Sequence, residues 1–422
     1  MADRPPPIRI DDLIDPVLAP ELVEATVMVE PMAEALDFTV DALLAQAESE
    51  TGLDDWGDDL HIDQWAVLLP ALDGEGGLSP LGRVSTWATL VQLARNRLLV
   101  ADYRRRHREV DDIEITRPIV IAGQGRTGTT HLHNLLSADL GLRSLPYWES
   151  LEPVPPRAEQ GIEHGVDPRR TRCAETLTGL NGVLPHFKRM HDMYPEHVHE
   201  EIQLLAVVGS TMLYETMAPM PTWRDHYLAT DQTPFYEGLK ALLAVLAHQS
   251  GDEGRRWVLK SPQHVEQLGP LLSVFPDATV VCTHRDPVAV TQSMATMLAY
   301  TARTSQVAER IVDVGRYWVD RSERMFRSAV DQRSLVPGGQ SIDVLFHEFM
   351  ADDVAMVERI YEVADQPFTS EVRAHMATFM AEHPRGKHGS VLYDLGDFGI
   401  DPAERRAALG FYVDRFGVEL EV

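Results

Sequence analysis

Residues 118–134 constrain the fold more than any other segment of the chain. They read PIVIAGQGRTGTTHLHN, which is a short β-branched run, a loop with three glycines, and the start of an amphipathic helix. Glycine allows positive φ angles and close approach of the backbone to a ligand. The free N–H groups and the dipole at a helix start favour a bound anion. The segment therefore predicts a buried strand that ends in an anion-binding loop.

Three more short β-branched runs follow, each ending in a turn or a helix: residues 257–259, 279–282 and 342–346. Strands separated by long helical segments pair in parallel through helical crossovers. We therefore predict an α/β domain over residues 116–422, built as a P-loop-type parallel β-sheet flanked by helices.

Residues 1–115 show a different pattern, with apolar residues at spacings of three and four. This spacing predicts a helical N-terminal extension whose helices cover residues 22–32, 38–48, 61–72 and 79–107.

The glycine loop differs from that of nucleoside triphosphatases at one position. Their loop reads G-x4-G-K-[ST]. Gly123 and Gly128 have this spacing, but Thr129 occupies the lysine position and the cation comes earlier, at Arg126. No lysine is then available to span β- and γ-phosphates, which disfavours hydrolysis of ATP or GTP. A P-loop nucleotide kinase or nucleotidase stays open as an alternative.

Charge excludes several classes of partner. The chain has 38 Lys and Arg against 65 Asp and Glu, a formal net charge of −27. Nucleic-acid binders concentrate positive charge, so we expect no nucleic-acid partner. The same field disfavours a polyanionic acceptor. A nucleotide would need a local cluster of basic side chains.

Apolar runs, the N-terminal segment and the cysteines each bear on the cellular location of the protein. No apolar run of about 18 residues predicts a membrane-spanning helix, and the first residues do not resemble a signal peptide. The two cysteines, Cys173 and Cys282, fit no metal or disulfide pattern, so we expect reduced thiols in a cytoplasmic protein.

Arg126-Thr-Gly-Thr-Thr130 is similar to the 5′-phosphosulfate loop of the sulfotransferase superfamily, [KR]-[ST]-G-T-T. The resemblance implies a sulfotransferase that uses 3′-phosphoadenosine-5′-phosphosulfate (PAPS) and releases 3′,5′-adenosine bisphosphate (PAP). Arginine in place of lysine, and His131 in place of the usual tryptophan, depart from the vertebrate cytosolic members and are similar to other branches. The residues implied to bind the phosphosulfate are Gly125, Arg126, Thr127, Gly128, Thr129 and Thr130.

A second cationic site is needed for the 3′-phosphate of such a donor. Arg285 and Ser293 bracket a predicted strand-to-helix junction, and a guanidinium offers phosphate a bidentate fork. The superfamily uses this Arg-x7-Ser spacing for the 3′-phosphate. The alternative is that Arg285 pairs with Asp286 or another carboxylate.

A late basic segment of the chain also resembles the superfamily. Its members have a loop near the C-terminus that closes over the same phosphate. The resemblance implies this role for Arg385, Lys387, His388 and Gly389, the alternative being an exposed linker. The loop could also order as a lid when nucleotide binds.

The catalytic residues include two implied cations and several candidate bases. The resemblance aligns Lys260 with a lysine that reaches toward the bridging oxygen, beside Arg126. The histidine base of the cytosolic branch would fall at Pro262, and His264 comes two residues too late. Other branches use a glutamate 20 to 30 residues beyond the phosphate loop, which favours Glu149. Glu200 and Glu201 are the second candidates.

Residues 183–224 could build either the core or an acceptor pocket, because methionine clusters fill irregular cores and also line permissive binding surfaces. A pocket there would take an apolar alcohol or phenol, such as a small molecule or lipid. The side chains in question are Phe187, Met190, Met193, Tyr194, Met212, Tyr214, Met217, Met220 and Trp223.

Two further questions concern metals and function class. The histidines at 186, 191, 197 and 199 form no H-E-x-x-H pattern, and the transfer chemistry needs no metal, so no metal is expected. The sequence leaves open a non-catalytic nucleotide- or lipid-binding protein on the same fold. It also leaves open whether the chain is a monomer or a homo-oligomer.

Overall fold

The structure is a computed structural model. It describes residues 4–161 and 165–421. Residues 1–3, 162–164 and 422, which belong to the predicted N-terminal extension and α/β domain, lie outside the described residues. Within the described ranges the strands are β1 (Ile119–Ala122), β2 (Leu142–Arg143), β3 (Arg256–Ser261), β4 (Thr279–His284) and β5 (Ser341–Leu345). They form one sheet in the order β2-β3-β1-β4-β5. Every pairing between neighbours is parallel.

The parallel sheet confirms the predicted fold class. All residues of β1 are buried, and so are those of β4, as expected for central strands covered on both faces. Each of the four predicted strands is present, within one or two residues of the predicted bounds. The two-residue β2 was not predicted, since so short a strand carries no period of its own.

Helices flank the sheet and precede it. Before β1 lie α1 (Pro20–Ala35), α2 (Val40–Thr51), α3 (Leu60–Gly74) and α4 (Pro80–Arg106), as the apolar spacing predicted. The later helices are α5 (Thr129–Ser137), α6 (Tyr147–Leu151), α7 (Pro168–Val183), α8 (Ile202–Val208), α9 (Pro221–Ala229), α10 (Thr233–Ser250), α11 (Leu268–Val274), α12 (Pro287–Ala302), α13 (Ile311–Gln332), α14 (Phe346–Ala351), α15 (Asp353–Ala364), α16 (Ser370–Glu382), α17 (Pro402–Ala408) and α18 (Gly410–Phe416).

The two faces of the sheet pack against different sets of helices. Side chains alternate along a strand, so Ile119 and Ile121 face one side with Leu132 of α5 and Ile360 of α15. Val120 faces the other side and belongs to the largest apolar cluster.

The N-terminal helices share that largest cluster. Trp65 of α3 and Leu98 of α4 pack in the same core as Val120 and Leu259 of the sheet. The boundary between residues 115 and 116 stays a prediction, but the helices on one side of it and the sheet on the other bury apolar surface together.

Two further observations concern thiols and membrane spans. Cys173 and Cys282 are both free and buried. In the part of the chain that the structure describes, no helix combines the length and the apolar character that a membrane crossing needs.

Candidate active site

The loop between β1 and α5 is held in one shape by its glycines and by a tie to β4. A side chain at Gly123 would place Cβ 1.8 Å from Thr283 Oγ1. Gly128, which starts α5, has a φ of +90° and would bring Cβ to 3.2 Å from the Phe346 ring. Thr127 Oγ1 lies 2.6 Å from Thr283 Oγ1 and bonds the carbonyl of Gln124. The side chain of Thr127 thus supports the loop from within.

Arg126 has a left-handed backbone, with a φ of +73°. Residues with a side chain seldom adopt this region, and such strain gathers at functional sites. Its Nε donates to Ser293 Oγ at 2.8 Å, and its Nη1 donates to the carbonyl of Met190 at 2.6 Å. The guanidinium is therefore fixed between α12 and the segment before α8.

The two predicted phosphate motifs meet at this point. Ser293 bonds the Arg126 guanidinium, and Arg285 Nη1 donates to the Arg126 carbonyl at 2.8 Å. The cause is topological, because β1 and β4 are parallel neighbours whose carboxyl ends lie at the same edge of the sheet.

Arg285 also pairs with a carboxylate. Its Nε and Nη2 donate to the two carboxylate oxygens of Glu421, each at 2.7 Å, and its guanidinium lies 4.1 Å from the centre of the Phe346 ring. Asp286, the partner considered from sequence, instead accepts from the N–H of Val288 and from Arg406. Glu421 thus engages the bidentate fork that would suit a phosphate.

The late basic loop faces the phosphate loop across a cavity of about 340 Å³, called the basic cavity here because several lysine, arginine and histidine side chains line it. Arg385, Lys387, His388 and Gly389 line this cavity. Lys387 Nζ lies 2.7 Å from Asp192, and Arg385 pairs with Asp353. The phosphate loop and a segment near the C-terminus thus border one space.

A second cavity, of about 380 Å³ and mainly apolar, lies on the other side of the loop. Arg126, Thr130 and His191 line both cavities, and Gly125 and Thr129 line the apolar one.

The predicted acceptor residues divide between cavities and core. Phe187, Met193 and Met212 line the apolar cavity, whereas Met190 and Tyr194 line the basic cavity. Tyr214, Met220 and Trp223 are fully buried in the core, and Met217 packs against it. Sequence reasoning missed Met294 and Met297 of α12 and Met325 of α13, which also line the apolar cavity.

Lys260 and Glu200 meet at the edge of the apolar cavity. Lys260 lies in β3 with only 2% of its surface exposed, and its Nζ contacts Glu200 Oε1. Glu200 itself lines the apolar cavity. Glu200 thus borders the same space as Arg126, and the buried Lys260, which lines neither cavity itself, contacts its carboxylate.

Glu201 points elsewhere, although it is the next residue. One of its oxygens accepts the backbone N–H of Lys260 at 2.8 Å, and the other contacts His264 Nε2. His264 in turn lies 2.7 Å from the Tyr236 hydroxyl and is fully buried. Glu201 and His264 therefore form an internal support beneath Lys260.

Glu149 lies in α6 and lines neither cavity. It is 5% exposed, and Arg143 Nη2 donates to its carboxylate at 2.6 Å. Burial raises the pKa of Glu149, and the guanidinium of Arg143 opposes that rise. The structure does not bring Glu149 together with Arg126 and Lys260, and its assignment as base stays a prediction.

Neutral histidines surround Lys260. Burial, together with the charge of Lys260, lowers the pKa of His197 to about 4. Burial likewise holds the pKa values of His133, His191 and His199 well below 6.5. These rings therefore add no positive charge to the site at neutral pH.

Comparison with known proteins gives a family match and similar solved structures. The profile of the sulfotransferase family matches residues 118–370, which is more than half of the 422 residues. Sulfotransferase STF1 from Mycobacterium tuberculosis H37Rv is 29% identical, with a TM-score of 0.76 over 88% of this chain and 98% of that one. Sulfotransferase STF9 from Mycobacterium avium is 25% identical, with a TM-score of 0.81 over 92% and 99%. No curated protein sequence gives a significant match. The chain belongs to the sulfotransferase family.

Proposed function

We propose that this transferase moves the sulfuryl group of PAPS to the hydroxyl of an apolar small molecule or lipid and releases PAP. The observation that carries the proposal is that Arg126, Thr130 and His191 border two cavities with different lining residues, basic side chains in one and methionines in the other. A donor in the basic cavity would present its sulfuryl group across the phosphate loop to an acceptor in the apolar cavity.

Donor binding is supported by the anion-binding groups at the loop. Gly128 cannot cap α5 with a side chain, so the first N–H groups of the helix are available to the phosphosulfate. Arg126, Thr129 and Thr130 add a guanidinium and two hydroxyls. Arg285 and Ser293 would hold the 3′-phosphate, with the basic loop at 384–389 closing the same cavity.

The acceptor class follows from the second cavity. Its volume of about 380 Å³ is in the usual range for small-molecule sites, about 300–1,000 Å³. Five methionines line it, and methionine side chains adapt to ligands of irregular shape. The net charge of −27 disfavours acidic acceptors.

We assign Glu200 as the base in the transfer step. The acceptor hydroxyl gives its proton to the Glu200 carboxylate while its oxygen bonds the sulfur. The bond between sulfur and the bridging oxygen breaks, and PAP leaves with the bonding electrons on its 5′-phosphate. Lys260 and Arg126 stabilise the charge that develops on the bridging and non-bridging oxygens. Glu149 is less suited, because its carboxylate lines neither cavity.

Calorimetric titration tests the donor class. PAP, 5′-AMP and ATP are compared in chelator without added metal, and we expect PAP to bind most tightly. Arg285→Ala should abolish this preference, whereas Arg324→Ala, at an exposed arginine of α13, should retain it. Preference for ATP would favour a P-loop kinase. PAP binding without transfer to a broad panel of alcohols and phenols would favour a non-catalytic binding protein.

A further inference from the structure

Two histidines and a glutamate form a cluster where the end of α4 meets the end of α10. His107 directly follows α4, Glu109 lies in the 3₁₀ turn Arg108–Asp112, and His248 lies in the last turn of α10. One oxygen of Glu109, Oε1, is 3.2 Å from His107 Nδ1 and 3.4 Å from His248 Nε2. The three ligand atoms all lie within 4.8 Å of one another. None of the three residues lines either cavity of the active site.

The two separations from Glu109 Oε1 are close to the edge length of a zinc coordination tetrahedron. Zn²⁺ binds nitrogen and carboxylate oxygen at about 2.0–2.2 Å, so two ligand atoms of a tetrahedral site lie roughly 3.3–3.6 Å apart. A set of two histidines and one carboxylate is also an established zinc ligand set that leaves the fourth position to water.

A tyrosine orients both imidazoles from behind. The hydroxyl of Tyr103 lies 2.8 Å from His248 Nδ1, the ring nitrogen that faces away from Glu109. When Nδ1–H donates to this hydroxyl, the Nε2 lone pair is directed at the cluster, as in ligating histidines. The ring of His107 stacks on the Tyr103 ring with centroids 4.3 Å apart.

The position of the cluster also favours a cation. It lies at the C-terminal ends of α4 and α10, where the helix dipoles present partial negative charge. Arg106, which lies over the Tyr103 ring, pairs with Asp102 and Gln160. The positive charge of Arg106 is therefore partly compensated by Asp102, which lies outside the cluster.

We propose that His107, Glu109 and His248 form a zinc site with three protein ligands and an open fourth position, which fastens the end of α4 to the end of α10. The site is independent of sulfuryl transfer and of the donor assignment. Zinc bound there would stabilise the packing of the N-terminal helices on the rest of the chain, because it binds the folded state and not the separated helices.

The test uses the full chain, stripped with chelator and then titrated with ZnCl₂ by calorimetry and followed by thermal unfolding. We expect one equivalent to bind and the unfolding temperature to rise. Co²⁺ should give the strong visible absorption of tetrahedral coordination. His248→Ala and Glu109→Gln should each weaken binding by about tenfold or more, the scale of effects that changes around a metal site produce.

Controls separate this site from other histidines. His375→Ala, on α16 and outside the cluster, should bind zinc like the wild type. Metal-free Glu109→Gln should unfold near the wild-type temperature, since Glu109 is exposed, which keeps the test valid if His248→Ala folds poorly. Absence of zinc binding would refute the proposal, and so would full binding by a His107→Ala/His248→Ala variant. PAP binding should be equal with and without zinc.

Discussion

Replacing Glu200 by glutamine isolates the proton-accepting role, because the amide keeps the shape of the side chain and an oxygen that can accept from Lys260. A positioned general base typically contributes about 10²- to 10⁴-fold to the rate, which corresponds to about 2.7–5.4 kcal/mol of activation free energy. We therefore expect kcat to fall by at least about 100-fold while PAP affinity stays within about threefold.

The acidity of the acceptor provides the decisive readout. A nitrophenol ionises readily and needs little help from a base, whereas an aliphatic alcohol depends on one in the transition state. Glu200→Gln should therefore slow transfer to an aliphatic acceptor much more than transfer to a nitrophenol. The assay is single-turnover transfer of labelled sulfate from PAPS to each acceptor at saturating enzyme. Equal losses for the two acceptors would refute a base at Glu200.

The other two glutamates serve as matched controls. Glu149→Gln weakens a buried ion pair with Arg143, and breaking such pairs costs about 3–5 kcal/mol of stability. It should lower the unfolding temperature and leave kcat nearly unchanged. Glu201→Gln should also act mainly on stability, because its carboxylate binds the Lys260 N–H and His264. A loss of kcat in Glu149→Gln with normal stability would return the base assignment to Glu149.

Three further predictions concern Glu421 near the C-terminus, the apolar cavity and the buried His61. Glu421→Gln should raise PAP affinity about 1.4- to fivefold in calorimetry, because a partly exposed ion pair with Arg285 worth about 0.2–1 kcal/mol no longer competes; unchanged affinity would mean that the pair does not obstruct the phosphate. Met297→Trp should raise the acceptor KM and leave PAP binding intact, since it fills the apolar cavity; an unaffected KM across large acceptors would place the acceptor elsewhere. Burial lowers the pKa of His61 from 6.5 to about 3, so the unfolded state binds an extra proton between these pH values and stability falls as pH drops. His61→Phe should reduce this dependence of stability on pH by up to about 1.4 kcal/mol per pH unit in denaturant titrations. An unaltered pH dependence would show that His61 does not titrate this way.

Much of the fold was predictable from short stretches of sequence. The strands around Val120, Val258 and Val280 are buried on both faces, so each appears as an uninterrupted apolar run. The helices α2, α3 and α4 were recognisable because one face of each packs in the core, whereas α1 buries only Ala33. The strand Leu142–Arg143 was not recognisable, because two residues are too few to show a pattern and only the pairing with β3 defines the strand.

The candidate site was predictable only in part. The two phosphate motifs are local, and parallel neighbouring strands necessarily bring their carboxyl ends together. The base was not predictable, because nothing in the local sequence separates Glu149, Glu200 and Glu201 as proton acceptors. Only contacts between distant segments show that Glu200 lines the apolar cavity while Glu201 lies beneath Lys260. The pairing of Arg285 with Glu421 likewise joins residues 136 positions apart.

The sequence by itself determined the parallel α/β fold, the anion-binding loop and the positions of the basic residues beside it. Those features depend on backbone conformation and on apolar periodicity, which are encoded over a few neighbouring residues. The tertiary structure alone decided which carboxylate meets Lys260, which methionines border the acceptor cavity, and that His107, Glu109 and His248 come together. The physical reason is that the direction of a side chain and its burial depend on packing between elements, and no local pattern records the contacts of residues far apart in the chain.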